Sequence, residues 1–361
     1  MVSDAFWSGR RVFLTGHTGF KGSWLALWLA RMGAHVTGFA LPADVPSLFD
    51  MADVAELITH VEGDIRDLAA VEAAMTQCAP EVVFHLAAQP LVRESYVTPV
   101  ETFATNVQGT VHVLDACRRQ SGLKAIVCVT SDKCYENNEW VWPYRESDPM
   151  GGHDPYSASK GAAELIISAY RRSFFAQGPL LASVRAGNVI GGGDWAKDRL
   201  IPDIVRALIA GEVPLIRAPG AVRPWQHVLE ALGGYLLIAG RLLEGNDWAA
   251  TAWNFGPADS DVQRVDWIAD RLTSRWGASG WERGDTAGPH EANILKLDCA
   301  KARSLLGWRP ALSLDDTLAM IVDWHRPVSD GAQPRKITYS QLDAYRSRFH
   351  SALAGARLND H

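Results

Sequence analysis

Arg11-Val12-Phe13-Leu14-Thr15-Gly16-His17-Thr18-Gly19-Phe20-Lys21-Gly22-Ser23-Trp24-Leu25 is the stretch that decides the fold. Residues 11–14 are a short apolar run, 15–22 a glycine-punctuated turn and 23–32 an amphipathic segment, so a strand, a tight turn and a helix are predicted in that order. In such a turn the missing side chains let backbone N–H groups approach a pyrophosphate at the helix N-terminus. Gly16, His17, Thr18, Gly19, Phe20 and Gly22 are therefore candidate dinucleotide-loop residues. The spacing is G-x-x-G-x-x-G, which also occurs in ordinary strand-to-helix turns, so the flanking pattern has to carry the reading.

Outward from this stretch, residues 35–40, 81–86 and 124–130 read as further short apolar strands, and 107–119 and 157–172 carry helical spacing. Strands alternating with amphipathic helices predict an α/β chain with a Rossmann-type, doubly wound parallel sheet. From about residue 185 onward, Gly- and Pro-punctuated segments such as GNVIGGGDW and RAPGAVRPWQ take over. A dinucleotide-binding domain over 1–185 and a smaller substrate-binding lobe over 186–361 are expected, with later strands free to return to the first sheet.

Composition narrows the classes. The chain has 361 residues, 47% hydrophobic and 21% charged, enough to bury a sizeable core and unlike a disordered chain. Its 35 Lys+Arg against 41 Asp+Glu leave a formal charge of -6, which does not concentrate a polyanionic nucleic acid. The five cysteines, Cys78, Cys117, Cys128, Cys134 and Cys299, show no C-x-x-C spacing, so neither a disulfide framework nor a structural metal site is predicted. No His/Cys/Asp/Glu set has metal-ligand spacing, and no metal is expected. The opening residues lack a signal-peptide core, and no apolar run reaches the roughly 18 residues a membrane span needs. A cytoplasmic protein without membrane partners is expected.

An acid at the end of the second strand, roughly 20 residues past the first glycine, usually holds the ribose hydroxyls of NAD. Here the stretch is Gly38-Phe39-Ala40-Leu41, with Asp44 the nearest acid and no Arg suited to a 2′-phosphate, so this strand leaves NAD and NADP open. The turn Gly63-Asp64-Ile65-Arg66-Asp67 offers Asp64 and Ile65 for the adenine side.

Tyr156-Ser157-Ala158-Ser159-Lys160 places a phenol and an amine four residues apart on one helix face, where the ammonium lowers the phenol's pKa. Tyr156 is thereby a candidate general base. Ser131, Asp132 and Lys133 follow the strand 124–130 at its carboxyl end, the usual place for ligand chemistry in open α/β sheets. Read singly, each is an ordinary turn residue. Together with Tyr156 and Lys160 they supply more proton donors and acceptors than one hydride transfer requires, which points to a reaction with additional proton steps.

The combination of TGxxGxxG, HLAAQP (85–90), Asn106 in TNVQGT, strand-end Ser131 and YxxxK resembles the extended short-chain dehydrogenase/reductase superfamily. Within it, GHTGFKGSWL, TSDKCYEN (130–137), VRAGNVIGGGDWAKDRLIPD (184–203) and RPWQHVLE (223–230) look like the CDP-glucose 4,6-dehydratases. The resemblance covers roughly the first 300 residues; the tail beyond about 325 carries no motif. It implies NAD as cofactor, held by the glycine loop, Asp64, Ile65, Leu86, Ala87, Ala88, Gln89, Asn106, Tyr156 and Lys160. It implies CDP-glucose as substrate, with Asn188, Arg199, Leu200, Arg217, Arg223 and His290 near the diphosphate, base and sugar. The implied chemistry is transient oxidation at carbon 4, loss of the 6-hydroxyl with Asp132 as acid, and reduction at carbon 6.

Relatives acting on dTDP-glucose carry Asp-Glu where this chain has Asp132-Lys133. Lys133 is then either the carbon-5 base, which requires a pKa several units below about 10.4, or a cation that stabilises the enolate. His17 and His85 are expected to pack the cofactor pocket rather than move protons. The resemblance also implies a homodimer joined by a four-helix bundle built from the helices 107–119 and 157–172. Two other readings use the same residues: a nucleotide-sugar 4-epimerase, against which Asp132-Lys133 argues, and a catalytically silent NAD sensor, against which the intact Tyr156 and Lys160 argue.

Overall fold

The computed structural model describes residues 2–284 and 294–358. Seven strands form the main sheet, in the order Ala252–Phe255, β6 (Leu180–Ala186), β5 (Ala125–Val129), β4 (Val82–His85), β1 (Arg11–Thr15), β2 (His35–Ala40), β3 (Thr59–Glu62). The pairs β1–β2, β2–β3, β1–β4, β4–β5 and β5–β6 are all parallel. From β1 the chain winds outward through β2 and β3, then returns to start the other half at β4, so the topological switch lies between β1 and β4. Ligands of doubly wound sheets bind outside the strand ends at that switch.

Burial explains why these segments are strands. The inner strands β1, β4 and β5 are covered on both faces, so they read as continuous apolar runs rather than alternating ones. One face packs Phe13, Val83, Ile126, Cys128 and Leu181 against Val113, Leu114, Cys117 and Ile167 of the covering helices. The first predicted helix is Phe20–Arg31 rather than 23–32, because Gly19 takes the extended N-cap conformation (φ -77°, ψ 168°) and the helix starts inside the glycine loop. The second predicted helix is Gly109–Arg118, continuous with Pro99–Phe103 through a π-helical turn, Ala104–Gln108. The third spans Pro155–Ser173: Asp154 caps it by accepting from the Ser157 N–H (2.9 Å), and Pro155 fills the first helical position, where no N–H is needed.

The chain divides into two compact units. One comprises Met1–Asn137, Arg145–Ala186 and Leu232–Asn254; the other comprises Asn138–Tyr144, Gly187–Ala231 and Phe255–His361. In the second, Val222–His227 is the middle strand between Val262–Arg264 and Asn188–Ile190. Its core gathers Ile201, Ile204, Val205, Trp225, Ile268, Leu272, Leu318 and Ile321. The motif-free tail forms two helices, Leu314–Ser329 and Pro334–Leu358. Among the described residues no helix is long and apolar enough to cross a membrane.

Candidate active site

The glycine loop leaves β1 at the switch point and meets the segment that follows β4. Gly16 has φ +75°, and a Cβ there would stand 2.7 Å from the Ala87 nitrogen. A Cβ on Gly22 would lie 2.0 Å from the Gly16 carbonyl oxygen, whereas one on Gly19 would meet nothing closer than 3.5 Å. Gly16 and Gly22 thus close the turn, and Gly19 leaves its outer side open at the helix N-terminus. That is the cradle a pyrophosphate requires, so these residues fit a dinucleotide.

Thr15 ties the two loops together. Its hydroxyl donates to His85 Nδ1 (2.8 Å) and accepts from the N–H groups of Leu86 (3.1 Å) and Ala87 (3.2 Å). His85 Nε2 meets Thr110 Oγ1 at 3.1 Å, and that hydroxyl donates to the Asn106 carbonyl (2.7 Å), so the bonding pattern assigns the His85 proton to Nε2. Burial, followed by the charge of Lys160, lowers the His85 pKa to about 3. A histidine held neutral by all its partners packs and orients, and does not exchange protons near neutrality.

His17 is likewise buried and lowered to about 3, by burial first and by His60 second; its Nε2 lies 2.7 Å from His60 Nδ1. The ring fills the space beside Gly38, where a Cβ would come within 2.4 Å of it. The missing acid at the end of β2 therefore has a steric counterpart: a larger side chain at Gly38 would collide with the loop histidine. Asp64 is engaged by its own turn, accepting from the Arg66 N–H (2.8 Å) and guanidinium (2.8 and 2.5 Å), and the hydrogen bond from the Arg66 side chain leads the effects that hold its carboxyl below the usual range. Ile65 is buried beside it, with its carbonyl bonded by His112.

Asn106 sits in the π-helical turn, a feature that recurs at functional sites. Its amide donates to the Gln89 carbonyl (3.1 Å) and the Ser159 hydroxyl (2.9 Å), and its oxygen accepts from the Gln89 N–H (2.8 Å). The segment Leu86-Ala87-Ala88-Gln89 is thereby joined to the helix carrying Tyr156 and Lys160.

On that helix Tyr156 and Lys160 are both buried, with Lys160 Nζ 5.9 Å from the phenol ring centre. Burial lowers Lys160 to about 8, opposed by the neighbouring Cys134 and Glu164. After β5 the chain turns through Asp132–Cys134 as a short 3-10 helix capped by Ser131, whose hydroxyl accepts from the Lys133 N–H (3.2 Å) and donates to Asp132 Oδ1 (3.0 Å). Ser131 and Asp132 are buried, and Lys133 is half-buried. This turn packs directly on the Tyr156 helix. Gly161 makes room for it: a Cβ there would be 2.7 Å from the Gly151 carbonyl and 3.2 Å from that of Cys134. Buried Tyr235 lies within electrostatic reach of both Asp132 and Tyr156; burial first and those two groups next push its phenol up. All five candidate catalytic residues thus belong to one unit and converge on its two facing elements.

The substrate candidates lie in the second unit. Asn188 is on the strand paired with Trp225, and Arg223 is on the middle strand. Arg199 precedes the helix Leu200–Ala210 and pairs with Asp194 (3.4 Å). Arg217 meets Asp198 (2.9 Å). His290 lies outside the described residues. Sequence reading missed Tyr235, Glu164 and Arg185 near the site; the last sits inside the quoted stretch 184–203, and the signal available was a charged residue in an otherwise apolar run. Among the described residues no group of three or more His, Cys, Asp or Glu converges as a metal site.

The model of the NAD dependent epimerase/dehydratase family matches residues 12–250 of this chain. The chain belongs to that family. A CDP-glucose 4,6-dehydratase of Salmonella typhimurium is 54% identical over 334 residues, covering 90% of this chain and 93% of that protein. The dTDP-glucose 4,6-dehydratase of Streptomyces antibioticus is 30% identical over 74% of this chain and 76% of its own length. Among solved structures, a double mutant of the dTDP-glucose 4,6-dehydratase of Streptomyces venezuelae with NAD bound superposes with a TM-score of 0.77 at 25% identity, over 90% of this chain and 99% of that one. Membership of this NAD dependent epimerase/dehydratase family makes NAD the cofactor of the chain.

Proposed function

We propose that this family member is a CDP-glucose 4,6-dehydratase, converting CDP-D-glucose to CDP-4-keto-6-deoxy-D-glucose and water. The observation that carries the reading is the packing of the Ser131-Asp132-Lys133 turn against the helix bearing Tyr156 and Lys160. A 4-epimerase needs the hydroxyl, phenol and ammonium; it has no use for a carboxyl and an amine beside them. The 54% identity to a protein of that name supports the substrate assignment.

Bound NAD supplies the hydride acceptor for carbon 4 and the donor for carbon 6. Tyr156, with the Lys160 ammonium beside it, takes the proton of the 4-hydroxyl. Ser131 turns its hydroxyl from Asp132 to the 4-oxygen. The 4-ketone acidifies the carbon-5 proton, so a weak base suffices; Lys133 as the free amine removes that proton, and as the resulting ammonium it stabilises the enolate. Asp132 delivers a proton to the departing 6-hydroxyl, and a proton returns to carbon 5 at the end, so one water is lost with no net oxidation. Gly16, His17, Thr18, Gly19, Phe20, Gly22, Asp64, Ile65 and Leu86 to Gln89 hold the cofactor, with Asn106 acting through Gln89. Asn188, Arg199, Leu200, Arg217, Arg223 and His290 hold the nucleotide sugar, the arginines gripping phosphate oxygens with paired N–H donors.

Incubation of the enzyme and NAD with CDP-, dTDP- and UDP-glucose separately tests the reading. Loss of one water from CDP-glucose alone, seen by mass spectrometry and by the alkaline absorbance of the keto sugar, supports it. A mass-neutral conversion moves the assignment to the epimerase, and NAD binding without turnover of any sugar moves it to the sensor.

A homodimer joined through a four-helix bundle accompanies this function. Exposed apolar side chains support it: Leu165 (63%) on the Tyr156 helix, and Val97, Val100 and Phe103 on the helices that lead into Gly109–Arg118. Leu165→Arg is expected to halve the sedimenting mass.

A further inference from the structure

Glu164 and Arg185 are ionisable groups placed where the protein is driest. Their side chains are only 4% and 3% exposed, and they meet in a bidentate pair, Nε to Oε1 and Nη2 to Oε2, each 2.8 Å. The proposed chemistry uses neither. A buried ion pair is weak as a source of net stability, because desolvation offsets the attraction, and its best-attested benefit is to specify one arrangement. The bonds made by this pair show which arrangement that is.

Glu164 lies one helical turn beyond Lys160, on the helix that carries Tyr156. Its carboxylate accepts from the Thr130 hydroxyl (2.5 Å) and the Ser183 hydroxyl (2.8 Å) as well as from Arg185. Arg185, on β6, donates through Nη1 to the Tyr135 hydroxyl (2.6 Å) and the Glu146 carbonyl (3.3 Å). Tyr135 in turn donates to Asn254 Oδ1 (2.7 Å). Thr130 is the residue before Ser131, and Tyr135 is the residue after Cys134. Both ends of the turn bearing Ser131, Asp132 and Lys133 are therefore fastened to one carboxylate–guanidinium pair, and that pair is rooted on the helix bearing the phenol and the ammonium.

We propose that Glu164 and Arg185 are positioning residues that lock the Ser131-Asp132-Lys133 turn in register with Tyr156 and Lys160, so that the acid for the 6-hydroxyl and the base for the 4-hydroxyl act on one sugar. This rests on the dehydratase reading for its purpose, while the clamp itself is defined by the geometry. The Glu164 charge has a second effect: it favours the Lys160 ammonium, which burial disfavours.

The test uses Thr130→Val, Tyr135→Phe and Glu164→Gln in the full-length enzyme with NAD. The first two leave the ion pair in place and each release one end of the turn. Expected for these is faster hydrogen exchange of the amides of residues 130–135 with the rest of the sheet unchanged, and a kcat for CDP-glucose lowered roughly 10- to 100-fold with KM within about twofold, the pattern of misplaced reacting groups. Glu164→Gln is expected to move the alkaline limb of the kcat profile to lower pH, because Lys160 loses its anionic neighbour. Wild-type exchange and wild-type kcat in both Thr130→Val and Tyr135→Phe overturn the proposal, whether or not Glu164→Gln folds. A wild-type enzyme that leaves CDP-glucose unchanged overturns the dehydratase reading instead, and the exchange rates then decide the clamp.

Discussion

At the residue scale the proposed chemistry depends on two buried groups four positions apart, Tyr156 and Lys160. Replacing Tyr156 with Phe removes one oxygen from a packed site and leaves the ring in place, so the expected result is a kcat lower by about 10²- to 10⁴-fold with NAD affinity retained, measured by steady-state kinetics and by titration of the cofactor. Lys160 sets a pH limit. Its folded-state pKa is lowered to about 8 because burial penalises the ammonium, so the charge proposed to assist Tyr156 is present below that pH and is lost above it. Activity is expected to fall as the pH rises through about 8, and the limb is expected to be missing from the residual activity of Lys160→Ala. These residues were legible because Y-x-x-x-K is a helix-face spacing, and spacing is a property of the chain. Tyr235 was not legible: it reaches Asp132 and Tyr156 across about 80 to 100 positions of sequence, through a fold that brings its helix alongside.

At the scale of elements, the glycine loop separates steric necessity from mere smallness. Gly22→Ala drives a methyl group into the Gly16 carbonyl, and Gly16→Ala drives one into the Ala87 backbone from a left-handed conformation; Gly19→Ala meets ordinary packing distances. Thermal unfolding is expected to show Gly22→Ala and Gly16→Ala destabilised by about 1 to 3 kcal/mol or more, with loss of NAD affinity, and Gly19→Ala close to wild type in stability. The motif displayed three glycines as equals; the contacts rank them. Element boundaries also show where pattern gives out. The helix after β1 starts three residues earlier than its apolar spacing suggests, because the cap is a backbone conformation at Gly19. The strands Thr59–Glu62, Leu180–Ala186 and Ala252–Phe255 escaped sequence reading. The first is a half-exposed edge strand, and the second carries Ser183 and Arg185 facing a buried carboxylate, so neither presents a simple alternation.

At the scale of the whole molecule, the tail that bore no motif is anchored by a buried acid. Glu230 accepts from the Ala311 N–H (2.8 Å), the Leu312 N–H (2.7 Å) and the Tyr345 hydroxyl (3.0 Å), while burial, the largest effect, raises its pKa to about 7 against an ordinary 4.5. A carboxyl raised in the fold holds a proton there that the unfolded chain releases. Its contribution to stability is therefore complete below the unfolded value and is lost as the pH rises through about 7. The buried histidines His17, His85, His227 and His325, all lowered to about 3, act in the opposite sense, their penalty falling as the pH rises through about 6.5. The clean observable is the difference between wild type and Glu230→Gln. Its stability advantage is expected to shrink by on the order of 3 kcal/mol between about pH 4.5 and 7, measured by denaturant unfolding.

The chain by itself determined the winding of the sheet, the place of the glycine loop and the pairing of Tyr156 with Lys160, because each is written in a short window: a period of apolar residues, a run without side chains, a step of four along a helix. Tertiary structure alone decided which glycines cannot be replaced, which histidines stay neutral, and how Ser131 and Asp132 come to rest on the Tyr156 helix. Those outcomes depend on backbones meeting across dozens of residues and on charges losing water when they do. The Glu164–Arg185 pair shows the division most directly. In the sequence it is a glutamate on a helix and an arginine in an apolar strand; in the folded protein each charge is tolerated only because the other lies 2.8 Å away.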